Sequence, residues 1–114
     1  MNTQIDNIAR VLKVLGEPNR LGIVFAIGKG SRAVTEIIKL TGLSQTLVSF
    51  HLRVLREADI VVTRRDGPFI FYSLKNPELI DILNVLHSIA QSRETGETSS
   101  PLLVSVEMAG KGGK

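Results

Sequence analysis

LSQTLVSFHLRVLREADI, residues 43–60, decides the fold. Ser44 is of a type that caps helices, and a helical period runs from it to about Ala58. Spaced at about 100° per residue, Leu47, Val48, Leu52, Val54, Leu55 and Ala58 gather on one side, where they should meet a core. Gln45, Thr46, Ser49, Arg53, Arg56 and Glu57 gather on the other. Taken alone, such a helix is either an ordinary amphipathic element with a solvated face or one shaped for a DNA groove.

The flanking segments separate these readings. TEIIKLTG, residues 35–42, predicts a compact helix with Thr35 as N-cap and Gly42 as a left-handed C-cap. Two helices separated by so few residues, with a glycine between them, form a helix-turn-helix. IVVTRRDGPFIFYSL, residues 60–74, reads as a β-hairpin, β-branched and aromatic on both sides of the tight-turn dipeptide Asp66-Gly67. Upstream, Pro18 suits a first helical turn and residues 21–27 are apolar nearly all round, which predicts a central buried helix closed by Gly28 and Gly30. SRAV, residues 31–34, is a short extended link. The order of elements is that of a winged helix-turn-helix, mainly α with a small β-hairpin wing.

The first and last helices carry more apolar surface than one neighbour covers. Over residues 4–15, Ile5, Ile8, Ala9, Val11, Leu12, Val14 and Leu15 span well over half the circumference. NPELIDILNVLHSIAQS, residues 76–92, repeats this with Leu79, Ile82, Leu83, Val85, Leu86, Ile89 and Ala90, opened by Asn76 as N-cap and Pro77 at the first position. A surface helix buries only a stripe of about 100° or somewhat more. A two-fold dimer through these two helices buries the surplus, with Ile5, Ile8, Leu12, Leu79, Leu83, Leu86 and Ile89 at the interface. The alternative is that the two helices cover only each other within one monomer. Residues 1–92 are thus expected to form the DNA-binding and dimerisation domain. Residues 93–114 are polar and glycine-rich and read as a flexible C-terminal tail, unless PLLVSV at 101–106 pairs as an edge strand or docks on a neighbour.

Composition narrows the function classes. A chain of 114 residues with 43% hydrophobic and 22% charged content is one globular domain. Its net charge of +3 suits a nucleic-acid binder but is shared by many plain domains. The absence of cysteine removes disulfides, thiolate metal sites, cysteine nucleophiles and thiol redox sensing together. No apolar run approaches the ~18 residues of a membrane span, and the N-terminus lacks a signal-peptide pattern, so a soluble cytoplasmic protein without a membrane partner is expected. No nucleophile is paired with a base, and there is no phosphate-cradling loop or metal cluster; an enzyme is not expected, nor a cofactor.

On the polar face, Gln45 is the best base reader, since its amide can pair with both N6 and N7 of adenine. Ser44, Thr46 and Ser49 can bond bases or phosphates, while Arg53 and Arg56 reach phosphates. Arg64 and Arg65 lie beside the hairpin tip, where they contact flanking DNA or serve as solubilising charges on an edge. With Arg53 and Arg56 they are expected to make one basic face. Phe50 sits at the edge of the polar face and either touches a thymine methyl or packs against a neighbouring element. His51 falls on the apolar side and reads as a core histidine rather than a metal ligand or pH sensor. Phe69, Phe71 and Tyr72 are expected to pack the hairpin onto the core. A winged helix used as a protein-interaction module, with no direct DNA role, is the alternative function.

LGEPNRLGIVFAI together with VTEIIKLTGLSQTLVSFHLRVLREADIVVTRRDGPFIFYSL resembles the ArsR/SmtB family of prokaryotic winged-helix repressors over roughly residues 4–92. The resemblance implies a homodimeric repressor on an imperfect inverted repeat of double-stranded DNA, with Ser44, Gln45, Thr46 and Ser49 facing that DNA. Two departures concern the DNA interface: Gly22 replaces a common basic residue and Phe50 a usual polar one. The family's thiolate sensor site corresponds to Ala33 and Thr35 here, and its last-helix site to Asn76, Glu78, Ile89 and Ser92, so neither ligand set is present. His87, with Asp81 or Asn84 nearby, is the remaining nitrogen and oxygen grouping on the last helix; it reads as an interface-edge residue, the alternative being a poor metal site that a dimer would double. The implied repressor lacks the usual metal and thiol sensors, and its effector is unknown.

Overall fold

The computed structural model describes residues 2–94. Helix α1 (Thr3–Leu15) leads to α2 (Pro18–Ile27), strand β1 (Ser31–Ala33), α3 (Val34–Thr41) and α4 (Gln45–Glu57). The hairpin β2 (Val61–Asp66) and β3 (Phe69–Leu74) follows, and α5 (Leu79–Glu94) closes the described chain. The tail assigned to residues 93–114, PLLVSV included, lies almost wholly outside the described residues.

Each element starts and stops for local reasons. Asn2 caps α1 through its side-chain oxygen, which accepts from the Gln4 N–H at 2.7 Å. Pro18 opens α2 in its first turn. Gly42 takes φ 73°, the left-handed geometry foreseen for it, and its N–H donates to the Ile38 carbonyl at 2.9 Å. Ser44 caps α4, its Oγ accepting from the Leu47 N–H at 3.2 Å. Three boundaries differ from the sequence expectation. Ala33, not Thr35, is the N-cap of α3, because Glu36 reaches back to accept the Ala33 N–H at 2.9 Å. The last helix begins at Leu79, after a tight turn in which the Leu79 N–H donates to the Asn76 carbonyl at 3.0 Å. The hairpin loop is Gly67-Pro68, since Asp66 pairs with Phe69, and Gly67 takes φ 64°.

SRAV is more than a link. Residues 31–33 pair antiparallel with β3, giving a three-stranded sheet of order β1-β3-β2. Sheet alternation then sorts the wing. Val61, Leu74 and Tyr72 pack on the core side, and Val62, Phe69 and Phe71 share the opposite face. Of the three aromatics expected to pack the hairpin onto the core, only Tyr72 does so; strand alternation turns Phe69 and Phe71 to the other face, where Phe69 is exposed.

Ile23, Val24 and Ile27 of α2 form the centre of the core, against Ile37 of α3 and Val48, Leu52 and Leu55 of α4. From α5 the core takes Ile80 and Leu83. Leu83, expected at the outer interface, is 6% exposed and belongs chiefly to the monomer's interior, while Leu79 is half-buried against the same cluster. The rotation of α5 explains it: Ile80 and Leu83 turn inward, which leaves Ile82, Val85, Leu86 and Ile89 outside.

Candidate nucleic-acid interface

The α3–turn–α4 unit presents the N-terminal half of α4 to solvent. Ser44, Gln45, Thr46 and Ser49 are all exposed, and so are Arg53 and Arg56 further along the helix. The opposite side, Val48, His51, Leu52 and Leu55, is buried. Burial of that side fixes the rotation of α4, so the core determines which groups it offers outward. One expectation fails on the flank: Leu47, assigned to the core, is 41% exposed. It lies about 100° from Val48 on the helix, turned away from the buried cluster.

His51 is a core histidine, 5% exposed, as its place on the apolar side of the helix indicates. Arg20 Nη1 lies 3.3 Å from its Nδ1, and Glu17 Oε1 lies 3.9 Å from its Nε2. Phe50 is 48% exposed and meets the His51 ring edge-on, with centroids 5.1 Å apart.

The basic residues do not form one uniform face. Arg64 and Arg65 are neighbours on a strand, so they point to opposite sides of the sheet. Arg64 lies over the Phe71 ring, 5.0 Å from its centroid, and 3.8 Å from the Asp66 carboxylate. Arg65 takes the core-side face near the tip, in register with Ile70. Among the described residues, Arg53, Arg56 and Arg65 have no ion-pair partner, which leaves three guanidinium groups exposed and uncompensated.

A second surface lies on α1 and α5. Ile5, Ile8, Val11 and Leu12 of α1 and Ile82, Val85, Leu86 and Ile89 of α5 are all exposed. Val11, Ile82 and Val85 are additions to the expected interface, although their helical spacing already places them on the surplus faces. An apolar groove of about 270 Å³ runs between the helices, lined by Leu12, Leu15, Leu21, Leu86 and Ala90, with His87 at its side. Helix α1 gives the core only Leu15 as a fully buried residue. No group of three or more metal-ligating side chains occurs among the described residues. None of their helices is long and apolar enough to cross a membrane.

Comparison with known proteins places this arrangement. Residues 17–63 match the family model described as bacterial regulatory protein, arsR family. The chain is 35% identical over 94 residues to a biofilm growth-associated repressor of Xylella fastidiosa, covering 82% of each protein. Among solved structures it is similar to NolR from Sinorhizobium fredii, with a TM-score of 0.67 and 35% identity over 75% of this chain and 86% of that one. It is also similar to a homodimeric winged helix-turn-helix DNA-binding domain from Mycobacterium bovis, described as a possible ArsR-family transcriptional regulator. There the TM-score is 0.72 and the identity 27%, over 85% of this chain and 90% of that one.

Proposed function

The chain belongs to the arsR family of bacterial regulatory proteins and is a DNA-binding transcriptional regulator; from that premise we propose a homodimeric repressor that occludes a promoter. One α4 enters the major groove at each half of an inverted repeat. Gln45 reads a base edge, Ser44, Thr46, Ser49 and Phe50 line the groove beside it, and Arg53, Arg56, Arg64 and Arg65 approach the backbone. The observation that carries this reading is the exposed polar start of α4 in line with Arg53 and Arg56, which have no ion-pair partner among the described residues. Arg64 takes part less freely, because Asp66 and Phe71 already engage it.

The two copies meet through α1 and α5. A 13-residue helix with one fully buried residue is too short to persist on its own propensity, so α1 needs a second partner surface. Its exposed apolar residues and those of α5 supply matching halves of an isologous contact.

Raising salt from 50 to 200 mM separates this reading from a protein-interaction module. Neutralising phosphates imposes a slope of roughly −0.9 per phosphate in log affinity against log salt. Removing Arg53 or Arg56 is expected to make that slope shallower by about 1 for each phosphate left without its cation. Gln45→Ala is expected to relax preference at one base pair and to cost about 1–3 kcal/mol, the worth of a bidentate base pairing. An equal loss across all sequences in a binding titration reassigns Gln45 to the backbone.

Release of DNA is proposed to be independent of metals. A thiolate site is chemically closed to a chain without cysteine, and Ile89 stands where a last-helix ligand is needed. Zinc, cadmium and arsenite at micromolar levels are expected to leave the protein–operator complex intact in a mobility-shift assay. Specific release by any of the three overturns that part of the reading.

A further inference from the structure

Leu47 and Phe50 stand out on the helix that enters the groove. They lie three residues apart, on adjacent turns of one flank of α4, and are 41% and 48% exposed. Thr46 and Ser49, both exposed, adjoin Phe50, and Arg53 follows one turn later with no ion-pair partner among the described residues. One side of the Phe50 ring meets the buried His51 ring edge-on, and His51 in turn lies 3.3 Å from Arg20. An exposed apolar edge in a row of small polar and cationic groups suits one feature of a major groove. That feature is the C5 methyl of thymine, the one apolar group the base edges offer there.

We propose that Leu47 and Phe50 form a methyl-reading edge, selecting operators with thymine at the positions they face in each half-site. The inference rests on the reading of α4 as the DNA-entering helix and adds to it a pair of specificity determinants that do not act through hydrogen bonds. The arginines beyond Phe50 favour DNA over an apolar protein partner as the occupant, since any partner on this flank also meets those cations.

The probe is the set of duplexes that the full-length protein recovers from a random-sequence library. Each thymine is replaced in turn by uracil, which removes the methyl and keeps the base pair. One or two thymines per half-site are expected to lose about fourfold in affinity on replacement, the worth of one buried methyl group. Phe50→Ser and Leu47→Ala are expected to bind the thymine and uracil duplexes alike at their own positions, with the salt slope unchanged. Uracil tolerated at every position by a protein that still selects sequence overturns the methyl reading and leaves DNA recognition standing. A thymine preference that persists in both variants overturns it as well. Failure to select any sequence, with affinity insensitive to salt, overturns both readings together. The uracil series uses the unaltered protein, so it decides the question even where a variant folds poorly.

Discussion

Leu86→Glu is expected to yield monomers and to remove operator binding. The side chain is 51% exposed and lies beside the apolar groove between α1 and α5, so the substitution spares the monomer's core. In a dimer, however, the carboxylate would be buried among leucines and isoleucines and, by the two-fold symmetry, repeated by its copy. An unpaired buried charge costs several kcal/mol, more than one leucine's hydrophobic gain of about 1.5–3 kcal/mol. The consequence for DNA is large, because two linked half-sites bind about 10²- to 10⁴-fold more tightly than one. Sedimentation and operator titration should therefore fail together, while circular dichroism retains a folded helical spectrum. Leu12→Glu, on the facing helix, should do the same. A variant that stays dimeric in light scattering places the interface elsewhere.

How much of this is legible in the sequence depends on what each residue's position answers to. The helix-turn-helix and wing follow from local chemistry: Gly42 at its left-handed position, Ser44 at a cap and a tight turn at Gly67, shifted one residue from the Asp66-Gly67 dipeptide. Such features are set within a few residues, and a sequence displays them directly. Strand β1 escapes a sequence reading because a three-residue strand has no periodicity of its own; its pairing with residues 71–73 exists only once the chain has turned back. Leu47 and Leu83 escape it for a related reason. Each lies on a helix with apolar residues over a wide arc, and composition does not say which part of that arc faces inward. Val48 and Leu55 on α4, and Ile80 on α5, settle the rotation by their burial in the common core. The same holds for Arg64 and Arg65. Adjacency in the sequence groups them, and adjacency on a strand sends them to opposite faces.

Arg20→Ala is expected to cost about 2–4 kcal/mol of folding stability, since it leaves two partly buried acceptors without a donor. Arg20 Nε donates to the Val14 carbonyl at 2.6 Å, and its Nη1 lies 3.3 Å from His51 Nδ1. A guanidinium only donates, so His51 Nδ1 is the acceptor in this contact, and Nε2 lies on the side of Glu17. The Arg20 N–H in turn donates to Glu17 Oε1 at 3.1 Å, which fixes the start of α2. One side chain thereby ties the end of α1, an element of the proposed dimer interface, to the buried face of α4. Arg20→Lys should recover less than half the loss, because an ammonium cannot offer two donors at the separation of a guanidinium fork. Urea unfolding measures the stability, and a double-mutant cycle with His51→Phe isolates the coupling, expected at about 0.5–3 kcal/mol for neighbouring residues. Strict additivity in that cycle would reduce Arg20 to a cap for α1. Coupling of the expected size instead makes it the brace that sets α4 against the dimer helices. Operator affinity should then fall in Arg20→Ala even at temperatures where the variant is fully folded and dimeric.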